Sequence, residues 1–288
     1  MRGTPVYSHP TGALYVVATP IGNLKDITLR ALEVLKGVHF VAAEDTRVTR
    51  SLLDHYGIDT PCVSYNEHNR TEKTPVFLHR LEKGESIALV SDAGTPLVSD
   101  PGSFLVEEVL SRGLPVHPVP GASAPIAALS CSGLFRSGFY FGGFLPRKRN
   151  ELLKTAEDLL RRPETHVFFE SPNRIEKSLE IMREVLGEER RVAVVREITK
   201  RHETLCRGTI GEALDCLGRS PVKGEIVLVI EGWEDDREAT LDDLPPQVLQ
   251  ALSELSLPPS EKARFLSRAF GVDRKSVYRL LEDLPERR

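Results

Sequence analysis

The chain has 288 residues and a formal net charge of −4 at pH 7. A chain of this length is expected to form two domains and a small third one. The slightly acidic balance argues against a generally basic surface for nucleic acid, so any RNA or DNA partner must be held by local basic patches.

The cysteines and the apolar runs of the sequence indicate the cellular compartment in which the protein is expected. Cys62, Cys131, Cys206 and Cys216 are scattered and form no CxxC pair, which favours reduced cytosolic thiols that pack in the interior over disulfides or zinc ligands. No apolar run approaches the roughly 18 residues of a membrane span, and the first residues lack a signal-peptide core. We therefore expect a soluble, cytoplasmic protein.

In the first half of the chain, strand patterns alternate with helical patterns. This alternation predicts an N-terminal α/β lobe at residues 1–135 with a mainly parallel sheet. The predicted strands are residues 14–19, 38–43, 62–65, 87–90 and 116–119, and the predicted helices are residues 27–36, 46–56, 72–83 and 103–112.

Three of these strands run into loops rich in glycine and proline. Open α/β sheets bind ligands at the carboxyl ends of their strands, and glycine there allows close approach to the backbone. Three such loops favour one shared ligand site over ordinary strand-to-helix turns. The loops are residues 20–23 (PIGN), 91–102 (SDAGTPLVSDPG) and 120–124 (PGASA).

The second half repeats the alternation and predicts a C-terminal α/β lobe at residues 136–233. Residues 234–245 are predicted to be an acidic linker, because residues 233–243 contain six acidic residues and one basic residue. The predicted strands of this half are residues 139–145, 166–170, 191–195, 204–209 and 225–231, and its predicted helices are residues 151–161 and 174–186.

Residues 246–288 are predicted to form a small helical module. Two of its helices resemble a helix-turn-helix, with Ser260 as an N-cap and Gly271 in the turn. Residues 260–288 carry eight Lys or Arg against five acidic residues, so packing on the body and nucleic-acid binding both stay open. The three amphipathic patterns are residues 247–255, 261–270 and 274–284.

Charged residues follow several strands, and each group has two interpretations. Glu44, Asp45 and Arg47 form either a helix cap with an ion pair or part of the site. His68 is either a turn residue or a substrate contact. Residues 196–203 include six that can carry charge, and they form either a solvated loop or one that faces the substrate.

Several motifs that would identify a cofactor directly are absent from the sequence. It contains no GxGxxG, no GxxxxGK[ST], no HExxH and no GxSxG. Hydride transfer on a dinucleotide site and NTP hydrolysis are therefore disfavoured. The three loops also carry few cations, which favours a neutral or positively charged nucleoside over a polyphosphate.

Nine segments, taken together and in order, resemble the tetrapyrrole-methylase-fold (class III) methyltransferases. More narrowly, they resemble the branch that methylates a cytidine ribose 2′-oxygen of 16S rRNA in the small ribosomal subunit. The resemblance covers residues 13–232, and the tail is similar to the helical C-terminal module of that branch. The segments are ATPIGNLKDITLRAL, AEDTR, SYNEHN, ALVSDAGTPLVSDPG, PVPGASA, FGGFLP, FFESPNRI, REITKRHE and GEIVLVIEG.

The resemblance implies two α/β lobes with S-adenosylmethionine between them, a homodimer, and 16S rRNA or the small subunit as partner. The segment Gly94-Thr95-Pro96 stands where the tetrapyrrole relatives have Gly-Asp-Pro, and Asp92 is the candidate to replace the missing Asp. Glu170 and Glu225 are later candidate contacts. The cofactor-binding residues implied are Pro20, Gly22, Asp92, Gly94, Thr95, Pro96, Ser99, Pro120, Gly121, Ser123, Ala124 and Gly224.

The reaction implied needs no metal, and a positioned base would assist it. The sequence alone does not choose among the candidate bases or orienting groups, which are Glu44, His68, Glu197 and Lys200. The three consecutive cations at residues 147–149 either grip phosphates or form a solvated turn. The candidates to hold RNA phosphates are Arg47, Arg147, Lys148, Arg196 and Arg201. The alternatives are a methylase of a small tetrapyrrole-like substrate and a non-catalytic RNA-binding protein.

Overall fold

The structure is a computed structural model, and its chain divides into two compact units, residues 1–232 and 233–288. The residues that it describes are 11–98, 102–135, 138–160, 162–219, 223–233, 248, 257–270 and 273–283. Both sheets belong to the first unit. Predicted strands and helices are present throughout it, with ends shifted by at most two residues.

The first sheet has five strands in the order β3-β2-β4-β1-β5, and every neighbouring pair is parallel. The mainly parallel sheet predicted for this half is therefore confirmed. Since parallel strands end at one edge, the loops that follow them lie together. The strands are β1 (Leu14–Val17), β2 (Phe40–Ala43), β3 (Cys62–Ser64), β4 (Ile87–Val90) and β5 (Val116–Val119).

Both faces of this sheet are buried, as parallel sheets require. Alternate strand residues join two different apolar clusters, with Tyr15 in one and Leu14 in the other. Thr28 and Asp45 accept backbone N–H bonds at two helix starts, so the alternative of Asp45 as an N-cap is confirmed. The helices are α1 (Leu29–Gly37), α2 (Thr46–His55), α3 (Arg70–Glu82), α4 (Ser103–Ser111) and α5 (Ala124–Ser132).

The second sheet is mixed, with the order β6-β7-β10-β8-β9. Only β6 and β7 are parallel, and the other three pairs are antiparallel. The strands are β6 (Phe139–Phe144), β7 (Thr165–Glu170), β8 (Arg191–Arg196), β9 (Thr204–Thr209) and β10 (Ile226–Ile230). The helices of this half are α6 (Arg149–Leu159), α7 (Ile175–Leu186) and α8 (Ile210–Leu217).

Helix α5 connects the two sheets. It directly follows the loop after β5, yet its residues Ala128 and Leu129 pack on Val167, Val195 and Val229 of the second sheet. Helices α6, α7 and α8 cover the opposite face of that sheet. The first lobe thus supplies one of the two layers that bury the second sheet, which holds the sheets against each other.

Two cysteines correct the expectation of reduced thiols. Cys206 in β9 and Cys216 in α8 form a disulfide, with their Cα atoms 5.9 Å apart. The prediction of free thiols was wrong for this pair because no helix was predicted at residues 210–217. Helix α8 brings Cys216 against the edge strand β9. Cys62 and Cys131 are free thiols.

The second unit contains α9 (Pro259–Phe270) and α10 (Arg274–Asp283), and Ala263, Leu266 and Val277 are fully buried. The prediction of Ser260 as an N-cap is wrong, because α9 already begins at Pro259. Several predictions for this part of the chain lie outside the described residues, namely Gly271, the linker at 234–245 and the helix at 247–255 apart from Val248.

Within the described part of the chain, no helix is long and apolar enough to cross a membrane.

His166 in β7 gives the fold a dependence on pH. Its side chain is fully buried between the rings of Tyr140 and Phe168, and neither ring nitrogen has a hydrogen-bond partner among the described residues. Burial lowers the pKa of His166 below its usual 6.5, although Glu164 opposes this shift. The folded protein therefore disfavours the protonated ring.

We predict that acidification destabilises the protein through this residue. The unfolded chain takes up the proton near pH 6.5 and the folded chain does not, so the free energy of unfolding falls by up to about 1.4 kcal/mol per pH unit below that value. His166→Phe should flatten this part of the curve of unfolding free energy against pH, measured by urea denaturation between pH 5.5 and 8. Parallel curves for the two proteins would contradict the assignment.

Candidate functional site

Two adjoining cavities lie between the loop edge of the first sheet and the second lobe. One has a volume of about 370 Å³ and a mostly apolar wall. The other has a volume of about 680 Å³ and a wall rich in charged and hydroxyl groups. Ile21, Ala93 and Glu225 line both cavities, and these residues mark the place where the two meet.

The three glycine- and proline-rich loops are tied to one another at the cavities. Thr19 and Gly94 exchange backbone hydrogen bonds of 2.9 and 3.1 Å, which joins the loops after β1 and β4. The Thr95 hydroxyl donates to the carbonyl oxygen of Ala122 at 3.1 Å, which joins the loops after β4 and β5. Gly94 has a φ of +81°, a left-handed conformation that favours glycine. The three loops therefore lie together, and the shared ligand site expected of them stays a prediction.

The apolar cavity has walls from both lobes. Thr95, Ser123 and Ala124 come from the first lobe, and Phe169 and Val227 come from the second. Phe169 and Val227 are paired residues on β7 and β10, so they present one continuous apolar surface. The side chain of Ser123 makes no capping bond to α5, so the start of this helix lies at the cavity without a side-chain cap.

Glu170 fixes the turn that completes the apolar wall. Its carboxylate is buried and accepts hydrogen bonds from the Ser171 backbone N–H and from the Ser178 hydroxyl, both at 2.7 Å. Arg174 forms an ion pair with the same carboxylate at 3.2 Å. Since every charged oxygen here is partnered, Glu170 holds Ser171 and Pro172 in place at the cavity.

The polar cavity contains a tight ion pair at the start of α2. The Asp45 carboxylate accepts from the Arg47 side chain at 3.0 Å and from the Arg47 backbone N–H at 2.8 Å. These hydrogen bonds from Arg47 lower the pKa of Asp45 to about 2, and the same pair raises the pKa of Arg47. The Asp92 Oδ1 atom accepts from the Asp45 N–H at 3.0 Å, which aligns the ends of β2 and β4.

Lys200 lies between two carboxylates where the loop after β8 meets the loop after β1. Its Nζ atom donates to Glu197 Oε1 at 2.8 Å and to Glu225 Oε2 at 3.1 Å. Burial opposes the charged form of Lys200, but these two hydrogen bonds outweigh it, and the pKa of Lys200 is raised. The bond from Lys200, with one from the Glu225 backbone N–H, lowers the pKa of Glu197. Both groups are thus held in their charged forms.

Gly22 allows this arrangement to reach the first lobe. A Cβ atom at Gly22 would lie 2.4 Å from Lys200 Cγ, so the lysine stem crosses the space that a side chain would fill. Likewise, a Cβ atom at Gly224 would lie 2.2 Å from Glu197 Oε1. Gly22 thus leaves room for the charged loop of the second lobe on the loop after β1, and Gly224 leaves room for the Glu197 carboxylate.

The structure brings many of the predicted site residues to the cavities and leaves others away from them. The predicted residues that line the apolar cavity are Thr95, Ser123, Ala124, Glu170, Gly224 and Glu225. Those that line the polar cavity are Pro20, Gly22, Asp45, Arg47, Asp92, Lys200 and Glu225. The predicted residues that line neither cavity are Gly94, Pro96, Pro120, Gly121, Glu44, His68, Glu197, Arg147, Lys148, Arg196 and Arg201.

Several of the residues away from the cavities have structural contacts instead. Gly121 packs on Ala18, whose Cβ lies 3.0 Å from the position of a Cβ at Gly121. His68 is exposed, and its backbone N–H donates to Asn66 Oδ1. Lys148 pairs with Glu151 at the start of α6. Ser99 lies outside the described residues.

Sequence reasoning missed the apolar wall of the second lobe. Phe169 and Val227 line the cavity, but each stands in an apolar run that is equally typical of ordinary core, and Ile198 stands in the charged loop after β8. The alternation of side chains along β7 and β10 predicts which face of the sheet Phe169 and Val227 occupy, but not which residue lies beside each of them. The structure shows that they are neighbours across the antiparallel pair of strands.

Comparisons with known proteins agree with this architecture. Residues 13–214 match the family described as Tetrapyrrole (Corrin/Porphyrin) Methylases. A relative from Mesorhizobium japonicum, named Ribosomal RNA small subunit methyltransferase I, is 47% identical, with 95% of this chain and 92% of the relative covered. A relative of the same name from Haemophilus influenzae is 43% identical, with 93% of this chain and 95% of the relative covered.

Solved structures share the fold at lower sequence identity. A cobalt precorrin-4 methyltransferase is 19% identical with a TM-score of 0.57, over 76% of this chain and 95% of that one. A Thermus thermophilus uroporphyrin-III C-methyltransferase complexed with S-adenyl homocysteine is 21% identical with a TM-score of 0.52, over 76% of this chain and 97% of that one. These likenesses confirm the two-lobed α/β fold, and with the sequence matches they establish that the chain is a methyltransferase of the tetrapyrrole (corrin/porphyrin) methylase family.

Proposed function

We propose that the protein transfers a methyl group from S-adenosylmethionine to the 2′-oxygen of a cytidine ribose in 16S rRNA of the small ribosomal subunit. The observation that carries the proposal is the pair of cavities that meet at Glu225, one apolar and one charged. A methyl donor and a polar acceptor need two such spaces with one shared opening. The names of the relatives support rRNA as the acceptor.

The apolar cavity fits the donor. A nucleoside needs apolar surfaces for its ring faces and a few fixed polar groups for its edges. Phe169 and Val227 supply the apolar surface, and the uncapped start of α5 at Ser123 supplies backbone N–H groups. When bound, S-adenosylmethionine would supply a reactive sulfonium methyl, and Ser123, Phe169 and Val227 would hold its nucleoside.

The polar cavity fits an RNA acceptor. Arg47 and Lys200 supply positive charge and Asp92 supplies a hydrogen-bond acceptor, a combination that suits a nucleotide with its phosphate. Arg147, Lys148, Arg196 and Arg201 are proposed to hold phosphates further along the strand. Lys200 and Glu197 act as orienting groups, because their mutual ion pair keeps both in the charged form.

A second copy of the chain is the proposed partner at strand β6. This edge strand exposes Phe139, Tyr140 and Phe144, of which Phe144 is 63% exposed. Exposed apolar patches on edge strands are typical of protein interfaces. The homodimer is active in the cytoplasm, where assembled ribosomal subunits are found.

A small tetrapyrrole acceptor is the second candidate. Tetrapyrrole methylases share the fold, but the two compared above are only 19% and 21% identical to this chain. The relatives named for rRNA are 43% and 47% identical over almost the whole chain. The higher identity and the two basic side chains in the polar cavity, Arg47 and Lys200, favour RNA.

Gly94→Ala tests the donor site. Alanine in this left-handed conformation costs about 1–2 kcal/mol, and its Cβ would lie 3.2 Å from Ile21 Cγ2 at the shared opening. We expect calorimetry to show affinity for S-adenosylmethionine reduced by roughly tenfold, equal to about 1.4 kcal/mol.

Gly113→Ala is the matched control for this variant. Gly113 has a φ of +68° and no atom within 4 Å of its added Cβ, so the backbone cost is the same without contact at the site. Both variants should lose similar unfolding free energy, and only Gly94→Ala should lose affinity. If the two variants bind S-adenosylmethionine with equal affinity, Gly94 does not shape the donor site.

Methyl transfer to purified small ribosomal subunits that lack the modification tests the proposed function. Labelled S-adenosylmethionine is used, and the product is digested and mapped by mass spectrometry. We expect label in one 2′-O-methylcytidine of 16S rRNA. Label on a base, or no label although S-adenosylmethionine binds, would contradict the proposed acceptor.

Removal of residues 234–288 tests whether the C-terminal unit recognises RNA. The truncation follows the boundary between the two compact units, so the cavities stay intact. We expect the truncated protein to bind S-adenosylmethionine as the full chain does and to lose most methylation of the subunit. Full methylation by the truncated protein would show that the C-terminal unit does not recognise the RNA.

A further inference from the structure

We propose that Glu225 is the general base that takes the proton from the acceptor hydroxyl during methyl transfer. The inference rests on the proposed function, because it assumes a donor in the apolar cavity and a hydroxyl acceptor in the polar one. The observation behind it is that Glu225 lines both cavities.

The place of reaction limits the candidates. Methyl transfer requires donor and acceptor atoms in line, so the reacting atoms lie where the two cavities join. Three described residues line both cavities, namely Ile21, Ala93 and Glu225. Of these side chains, only the Glu225 carboxylate can accept a proton.

The carboxylate of Glu225 is held in position with one oxygen free. Its Oε2 atom accepts from Lys200 Nζ at 3.1 Å, and its backbone N–H donates to Glu197 Oε1 at 2.9 Å. In the described part of the chain, Oε1 has no hydrogen-bond partner. The side chain is 74% exposed, so a bound hydroxyl can reach that oxygen.

The other titratable groups around the opening are less suited. Lys200 is held protonated between two carboxylates, and Glu197 lines neither cavity. Asp45 is occupied by Arg47, and Glu170 is buried under three partners. Among the described residues, Asp92 Oδ2 has no hydrogen-bond partner, but Asp92 lines only the polar cavity and not the apolar one, so we treat it as the rival base.

The step balances without a metal or a further reactant. As the new bond from the methyl carbon to the ribose oxygen forms, the bond from that carbon to sulfur breaks, and its electron pair stays on sulfur. The oxygen gains positive charge during bond formation, so its proton becomes strongly acidic. Glu225 Oε1 takes this proton and later releases it to water. A positioned base of this kind contributes roughly 10²–10⁴-fold in rate.

Glu225→Gln is the central variant, because the amide keeps the shape and an acceptor for Lys200 but cannot take the proton. We expect the single-turnover rate on the small subunit to fall by at least 100-fold. A carboxylate base is lost on protonation, so the wild-type rate should show an acid limb of unit slope that is missing in Glu225→Gln. Calorimetric affinity for S-adenosylmethionine should stay within threefold of wild type.

Three further variants separate the base from other roles. Glu225→Ala should regain rate when formate is added, because a small carboxylate can occupy the vacated space. Asp92→Asn should keep the acid limb whatever its effect on RNA affinity. Glu176→Gln, which alters an exposed carboxylate on α7, should match wild type in rate and pH profile.

The outcomes distinguish this inference from the proposed function. If wild type methylates the subunit but Glu225→Gln stays within threefold of its rate, the inference is overturned and the function stands. It is also overturned if affinity for the donor falls as much as the rate, or if Asp92→Asn removes the acid limb instead. If wild type binds the donor and does not methylate RNA, the proposed function itself fails.

Discussion

The ion pairs of Lys200 with Glu197 and Glu225 hold the functional region together. They join the loop after β8 to the strand β10 and press the lysine stem onto Gly22 of the first lobe. Glu197 and Thr199 adopt left-handed φ values of 53° and 64°, conformations that cost about 1–3 kcal/mol each in residues other than glycine. The backbone keeps this strained shape because the surrounding hydrogen bonds fix it.

The two sheets contribute to the site in different ways. The parallel sheet gathers three loops rich in glycine and proline at one edge, where hydrogen bonds from Thr19, Gly94 and Thr95 join them to one another. The mixed sheet instead contributes a rigid apolar wall, in which Phe169 and Val227 are neighbours across antiparallel strands. Helix α5 belongs to both, since it starts at the cavity and buries its apolar side on the second sheet. The proposed donor site and the packing of the lobes therefore depend on the same helix.

Much of this arrangement follows from the sequence, and the reasons for the exceptions are physical. The loops that contain Pro20, Gly22 and Thr95 were predicted to lie at the carboxyl edge of the sheet, because turn residues that directly follow apolar strands lie there in an α/β fold. Helix α8 was missed, although Thr209 and Glu212 form a capping box that marks its start. With α8 unknown, the Cys206–Cys216 disulfide was not predictable. The position of Glu225 at both cavities depends on strand register and on a long-range ion pair, and local sequence patterns specify neither.

The account depends most on the donor lying in the apolar cavity with its reactive end at the shared opening. A crystal structure of the protein with S-adenosylhomocysteine tests this directly. The account predicts the adenosine between Ser123 and Val227 and the sulfur beside Ile21, Ala93 and Glu225. Adenosine bound in the polar cavity, between Arg47 and Asp92, would contradict it and would reverse the assignment of donor and acceptor.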